Sequence, residues 1–165
     1  MPILDVNTLE CFSRSPDQTR RLGMRLGTFL QQGDLVCLHG DLGAGKTTFV
    51  QGLAQGWGSL IPATSPTFVL VNEYRRPDEA CLYHLDAYRI ESFLEAEQLD
   101  LNGMLGEGAL VIEWPERMEA VLPEERLWVD LENIDEGHRE LSFSATGRRP
   151  EALLAFFRQA VYGVA

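Results

Sequence analysis

The chain contains one glycine-rich segment whose residue types and spacing match the phosphate-binding pattern G-x-x-x-x-G-K-[ST]. The segment reads Gly40, Asp41, Leu42, Gly43, Ala44, Gly45, Lys46 and Thr47. Its glycines permit backbone conformations that other residues avoid, and they let main-chain N–H groups approach an anion. Lys46 would supply a point charge for the β- and γ-phosphates, and the Thr47 hydroxyl is placed to ligate Mg²⁺. The segment therefore predicts a site for the phosphates of a nucleotide.

The sequence on both sides of this segment supports the same interpretation. The apolar run Asp34–His39 predicts a buried strand before it, and apolar residues at helical spacing from Lys46 to Trp57 predict a helix after it. Such a helix directs its positively polarised N-terminus at the phosphates. This order of strand, loop and helix disfavours the alternative, a glycine-rich turn that matches the pattern by chance.

Two carboxylates follow apolar runs elsewhere in the chain. Glu113 ends the run Leu110–Ile112, and Asp86 ends the run Cys81–Leu85. The carboxyl ends of strands are where α/β folds place their ligands. We assign Glu113 to the Mg²⁺ shell, directly or through water, and Asp86 to the attacking water or the Mg²⁺ network. The alternatives are an ordinary strand-end glutamate and an aspartate that starts a turn.

Three further features have open interpretations. The segment Thr64–Thr67 lies where switch loops of nucleotide hydrolases lie, and a capped turn into the next strand is an equal alternative. We interpret His84 as structural or at the surface. Arg89, Arg117 and Arg139 are candidates for an arginine finger, although surface positions are more typical of dispersed arginines.

The bulk composition describes a soluble globular protein. The 165 residues suit one domain, with 45% hydrophobic and 24% charged residues. The formal net charge is −11, and Lys46 is the only lysine, so nucleic acid would be reached only through a more basic partner. The longest apolar run, Ala152–Phe157, is shorter than the about 20 residues that span a bilayer. Three scattered cysteines and no visible signal peptide favour the cytoplasm, without a membrane.

The remaining pattern predicts an α/β architecture in a single domain over residues 1–165. Predicted strands at 67–74 and 81–86 flank a turn too short for a parallel crossover, so this pair must be antiparallel. We therefore predict a P-loop NTPase-like three-layer sandwich with a mixed parallel and antiparallel sheet. The other predicted elements are helices over 15–31, 91–99 and 150–162, a strand over 109–112, a helical turn over 115–121 and a hairpin of 126–132 with 139–146. The last helix is treated as an extension.

Several segments taken together resemble one known family. Its motifs occur in the order Gly40–Thr48, Ser65–Phe68, Tyr83–Arg89 and Ile112–Glu116. The set resembles TsaE, a bacterial ATPase required for threonylcarbamoyladenosine modification of tRNA. The resemblance covers roughly 15–141. Many nucleotide hydrolases share the first motif, so the motifs at Tyr83–Arg89 and Ile112–Glu116 are the ones that make the resemblance specific.

The resemblance implies a function and a set of site residues. Members of the family bind ATP and Mg²⁺, hydrolyse ATP slowly, and associate with TsaB and with TsaD, which transfers threonylcarbamoyl to adenosine 37 of tRNA. By position, Thr47 and Glu113 would ligate Mg²⁺, and Lys46, Asp86 and Glu113 would be catalytic. Thr19 aligns with a residue near the base of the nucleotide. The implied cofactor-binding set is Thr19, Gly40–Thr48 and Glu116, and Gly137–Arg139 would border the nucleotide.

The sequence thus predicts a Mg²⁺-dependent ATPase that acts as the accessory or motor subunit of the tRNA-modifying complex. One alternative is a small-molecule kinase that uses the same phosphate-binding loop, although no arginine-rich lid segment is evident. The other is a nucleotide-sensing scaffold without catalysis.

Overall fold

A computed structural model describes residues 5–64 and 71–163. Within these residues the chain forms one seven-stranded sheet, and its strands are β1 (Thr8–Ser13), β2 (Leu35–His39), β3 (Val71–Arg75), β4 (Cys81–Asp86), β5 (Gly108–Glu113), β6 (Arg126–Asp135) and β7 (His138–Thr146). The helices are α1 (Pro16–Gly27), α2 (Lys46–Trp57), α3 (Phe93–Glu97), α4 (Leu101–Glu107) and α5 (Arg148–Tyr162), with a 3₁₀ helix at Pro115–Val121.

The strand order places the phosphate-binding segment beside both predicted carboxylates. The order across the sheet is β1-β7-β6-β2-β5-β4-β3, and β2, β4, β5 and β6 are parallel to their neighbours within this group. Leu38 of β2 pairs with Glu113 of β5, and Glu113 pairs with Asp86 of β4. Because parallel strands end at the same edge, the loop after β2 and both carboxylates meet there.

Helices cover both faces of this sheet, as the strongly apolar central strands require. One face packs Val36, Leu38 and Val111 against α1, α2 and α5, and the other packs Cys37 and Ile112 against α3, α4 and the 3₁₀ helix. The predicted three-layer arrangement with a mixed sheet is therefore confirmed. None of the helices that the structure describes has the length and apolar character needed to cross a bilayer.

Most predicted elements are present, and the helix after the phosphate-binding segment has the predicted bounds. The predicted strand at 67–74 is described only from Val71, because residues 65–70 lie outside the described residues; β3 and β4 pair antiparallel, as expected. The hairpin strands β6 and β7 are longer than predicted. Strand β1 and helix α4 were missed; β1 is an edge strand whose exposed and buried residues alternate, so its apolar signal is weak.

The first helix ends four residues earlier than the sequence predicts. After Gly27 the backbone hydrogen bonds reach back three residues instead of four. The N–H groups of Phe29 and Leu30 donate to the carbonyls of Leu26 and Gly27. The Thr28 hydroxyl also donates to the Arg25 carbonyl at 2.7 Å. These interactions satisfy the last carbonyls of the helix without further α-helical turns.

The last helix, α5, is part of the main core. Its residues Leu153, Leu154 and Phe157 are fully buried against the same face of the sheet as α1 and α2. The Arg149 guanidinium donates from Nε and Nη2 to the two carboxylate oxygens of buried Asp34, each at 2.9 Å. This bidentate pair joins the start of α5 to the start of β2.

Helices α1 and α2 pack backbone to backbone, because glycines lie at the positions where they meet. A Cβ atom on Gly52 would lie 2.0 Å from the Arg20 carbonyl oxygen, and one on Gly23 would lie 2.3 Å from the Phe49 carbonyl oxygen. Only glycine allows so close an approach. The contact holds the N-terminal half of α1, including Thr19, beside the start of α2.

We predict that Gly52→Ala lowers the melting temperature by several degrees. Its methyl group would overlap the backbone of α1, and overpacking of this kind costs about 1–3 kcal/mol. Gly106→Ala in α4 is the matched control, because nothing lies within 4 Å of the added Cβ. Thermal unfolding followed by circular dichroism checks the prediction, and equal melting temperatures for the two variants would contradict it.

Candidate functional site

The loop between β2 and α2 has the backbone shape of an anion cradle. Gly43 and Gly45 have φ values of 80° and 102°, in the left-handed region that favours glycine. The Ala44 N–H donates to the Asp41 carbonyl and closes a turn at 3.1 Å. Gly45 is the N-cap of α2 and has no side chain with which to cap the first-turn N–H groups. These donors and the helix dipole therefore favour an anion at this position.

Lys46 places a buried ammonium group at the centre of the site. Its side chain is only 6% exposed, donates to the Gly40 carbonyl and lies with Nζ 3.5 Å from the centre of the Trp114 ring. Burial lowers the pKa of Lys46 by penalising the charged form, while the carboxylates of Glu113, Glu116, Asp86 and Asp41 oppose this shift. The ammonium thus has carboxylates from three parts of the chain around it.

The two strand-end carboxylates lie side by side and both line the same cavity. Glu113 is 5% exposed, and its Oε2 lies 2.5 Å from His84 Nε2. Asp86 Oδ1 accepts from the Tyr88 N–H at 2.9 Å, so this residue starts a turn and also faces the cavity. The turn predicted as the alternative for Asp86 is therefore observed, and its role toward the attacking water or Mg²⁺ stays a prediction.

The cavity has a volume of about 330 Å³, within the range of small-molecule sites. It is lined by Pro16, Thr19, Leu42, Gly43, Gly45, Lys46, Thr47, Thr48, Asp86, Glu113, Trp114, Gly137 and Arg139. The structure therefore brings together eleven of the residues that the sequence proposed for the site or for its border. Thr19 is buried, and its Oγ1 lies 2.7 Å from the Ser13 hydroxyl.

The other proposed residues lie behind or beside the cavity rather than on its wall. Gly40 supplies the carbonyl that accepts from Lys46, and Asp41 and Ala44 close the turn of the loop. The Glu116 carboxylate lies 3.1 Å from His39 Nε2, and the other ring nitrogen of His39 lies 2.7 Å from Asp130. The contact of Glu116 with a nucleotide stays a prediction.

Two residues make contacts at the site that the sequence did not predict, although Arg139 was proposed as a candidate arginine finger and as part of the segment that borders the nucleotide. Arg139 donates from Nε to the Ala44 carbonyl and from Nη2 to the Gly43 carbonyl, each at 3.1 Å, and so braces the loop from β7. Trp114 has a φ of 60°, rare for a bulky residue, and this conformation turns the chain after Glu113 with the ring over Lys46. Neither contact leaves a local signal, because each joins segments that are distant in sequence.

His84 is structural, which is one of the two interpretations drawn from the sequence, and the surface alternative is wrong. The side chain is fully buried, between Glu113 and the Tyr74 hydroxyl. The available signal was a histidine inside an otherwise apolar strand, two residues before Asp86 on the same face of β4.

Comparison with known proteins identifies the family of the chain. A family model described as "Threonylcarbamoyl adenosine biosynthesis protein TsaE" matches residues 13–141. The chain belongs to the TsaE family. The tRNA threonylcarbamoyladenosine biosynthesis protein TsaE of Bacillus subtilis (strain 168) is 39% identical over 140 residues, which cover 84% of this chain and 87% of that protein. The TsaE protein of Treponema pallidum (strain Nichols) is 40% identical over 135 residues, covering 81% and 98%.

A crystal structure of Bacillus subtilis YdiB has the same fold as this TsaE family member. The TM-score is 0.78 at 31% sequence identity, and the alignment covers 98% of this chain and 99% of that one. The resemblance drawn from the sequence motifs is confirmed by the family model and these relatives. Membership places the chain in a family that takes part in threonylcarbamoyladenosine biosynthesis for tRNA.

We predict that Arg139→Ala loosens the phosphate-binding loop while leaving the fold intact. The substitution removes two hydrogen bonds to loop carbonyls, each of which contributes about 0.5–1.5 kcal/mol. Amide hydrogen exchange in the peptide that contains 40–45 should therefore accelerate by about fivefold or more. Arg75→Ala, which removes an exposed pair with Glu73 on β3, is the control; the same loop protection in both variants would refute the bracing role.

Proposed function

We propose that this TsaE family member binds ATP with Mg²⁺ in the cavity at the carboxyl ends of β2, β4 and β5 and hydrolyses it slowly. In this proposal it serves as the accessory ATPase of the machinery that forms threonylcarbamoyladenosine in tRNA. The supporting observation is the meeting of Lys46, Thr47, Asp86 and Glu113 on one cavity wall, next to an uncapped helix N-terminus. This set combines anion donors, a cation and two carboxylates, as phosphoryl transfer requires.

The phosphates would lie on the loop and the first turn of α2. The left-handed glycines, the main-chain N–H groups and Lys46 supply positive potential in a site that is partly shielded from water. Lys46 would exchange its contacts with Gly40 and Trp114 for phosphate oxygens at little cost in desolvation, because it is already buried. Arg139 would hold the loop in this conformation through its hydrogen bonds to the Gly43 and Ala44 carbonyls.

The residues present also fit a magnesium ion bound with the nucleotide. Among the described residues no group of three or more His, Cys, Asp or Glu has the arrangement of a metal site formed by protein alone. Mg²⁺ commonly takes one or two protein oxygens and completes its shell with water and phosphate oxygens. Thr47 and Glu113 would supply those protein oxygens. The ion would neutralise charge that develops on the phosphates during the reaction.

Asp86 would orient the attacking water. It lies beside Glu113 at the same sheet edge, and its turn with Tyr88 fixes the carboxylate in place. Thr19, near the start of α2, would contact the remainder of the nucleotide, as the family resemblance implies.

The charge of the chain supports an indirect relation to tRNA. The net charge is −11, and the only lysine lies inside the cavity. Such a surface repels a polyphosphate backbone, so contact with tRNA would be made by partners. We propose that these are TsaB- and TsaD-like proteins of the cytoplasm, as the family resemblance implies.

Variants of the cavity wall test the enzymatic role. Lys46→Ala should weaken binding of Mg²⁺–ATP by about 100-fold or more, since it removes a charge-assisted interaction with phosphate. Glu113→Gln and Asp86→Asn should lower kcat by about 100-fold. Calorimetry measures binding, and phosphate release measures turnover. Glu97→Gln, on the exposed side of α3, is the control and should retain wild-type values.

Two outcomes would contradict the proposed ATPase function. If the wild-type protein takes up no Mg²⁺–ATP, the nucleotide proposal fails. If phosphate passes to a metabolite rather than to water, the small-molecule kinase becomes the better description.

Co-purification tests the partner proposal. The tagged chain should retain TsaB- and TsaD-like proteins of the same source in the presence of Mg²⁺–ATP, and retention should fall for Lys46→Ala. Retention that is equal with and without nucleotide would separate assembly from ATP binding, and no retention under either condition would contradict the partner assignment.

A further inference from the structure

A buried row of polar groups runs from the back of the cavity into the sheet. Glu113 Oε2 lies 2.5 Å from His84 Nε2, and His84 Nδ1 lies 2.9 Å from the Tyr74 hydroxyl. That hydroxyl accepts from the Thr64 N–H at 3.2 Å and donates to the Thr64 carbonyl at 2.9 Å. The row therefore connects the strand-end carboxylate of β5 with main-chain atoms that follow α2.

The His84 ring has a polar partner at each of its nitrogens. Nε2 faces Glu113 Oε2, and Nδ1 faces the Tyr74 hydroxyl. An ionised carboxylate only accepts hydrogen bonds, so Nε2 is the donor to it. The Tyr74 hydroxyl is held in turn by the Thr64 main chain, to whose carbonyl it donates and from whose N–H it accepts. Tyr74 thereby fixes the orientation of the ring in which Nε2 faces Glu113.

Because both side chains are buried, the hydrogen bond from His84 Nε2 determines how the Glu113 carboxylate is oriented. His84 is fully buried and Glu113 is 5% exposed, so little water is available to hold the carboxylate in one orientation. The bond from Nε2 engages Oε2 and leaves the other oxygen for a ligand in the cavity. Partners that orient metal-binding side chains in this way typically change metal affinity 10- to 100-fold when they are removed.

We propose that His84 is a positioning residue, which holds the Glu113 carboxylate in the orientation that binds Mg²⁺, with Tyr74 fixing the orientation of its ring. The inference rests on the proposed function and deepens it, because it assigns residues behind the predicted ligand. A purely structural histidine would stabilise the fold without affecting the cation requirement of nucleotide binding.

The test measures how ATP binding depends on the Mg²⁺ concentration, by calorimetry, in variants of the row. His84→Leu removes the donor and should raise the Mg²⁺ concentration for half-maximal enhancement of ATP binding by about 10- to 100-fold. ATP affinity in excess chelator should be unchanged. His84→Gln retains an N–H donor on a side chain of similar reach, and it should restore most of the wild-type requirement.

Tyr74→Phe provides a milder variant that removes only the hydroxyl. The ring then loses its partner at Nδ1 and is less firmly held with Nε2 facing Glu113, so the Mg²⁺ requirement should rise several-fold. Val111→Ala is the matched control, because Val111 is buried on the same face and pairs with His84 in the sheet. It should lower the melting temperature, as loss of a buried side chain does, without changing the Mg²⁺ requirement.

The outcomes separate this inference from the proposed function. A wild-type protein without Mg²⁺-dependent ATP binding would refute the proposed function before any variant is compared. If wild type binds as expected, and folded His84→Leu and Tyr74→Phe both keep its Mg²⁺ requirement, His84 is only a core residue and the inference is wrong. If His84→Leu does not fold, the same judgement is made from Tyr74→Phe against Val111→Ala.

Discussion

The buried ammonium of Lys46 is the interaction on which the rest of the site depends. An isolated cation inside a protein is costly, and here its surroundings offset that cost with the Gly40 carbonyl, the face of Trp114 and nearby carboxylates. These groups come from the loop after β2, from the end of β5 and from the end of β4. The lysine thus links three segments that only the parallel sheet brings together.

Contacts from the surrounding helices and from β7 keep those segments in place. Glycines in α1 and α2 let the two helices meet at their backbones, and Arg139 braces the loop through its carbonyl oxygens. The bracing uses carbonyl oxygens, so it occupies none of the loop N–H groups. The acidic exterior around a single internal lysine is consistent with the proposal that partners, rather than this chain, contact the tRNA.

Much of the candidate site could be predicted, because the residues concerned carry their signal locally. The glycine spacing, Lys46 and Thr47 form one continuous motif, and Asp86 and Glu113 each end an apolar run. The central strands and α2 were predicted for the same reason. The contacts of Arg139 with the loop and of His84 with Glu113 could not be predicted, because each depends on pairing between strands far apart in the chain.

The sequence by itself determined the phosphate-binding loop, the strand-end carboxylates, the mixed α/β fold and the family, because these follow from residue types at short, regular spacing. Tertiary structure alone decided which oxygen of Glu113 is engaged, where the Lys46 ammonium lies and how α5 enters the core. Those features follow from strand register and close packing, in which a shift of one residue turns a side chain to the opposite face of the sheet.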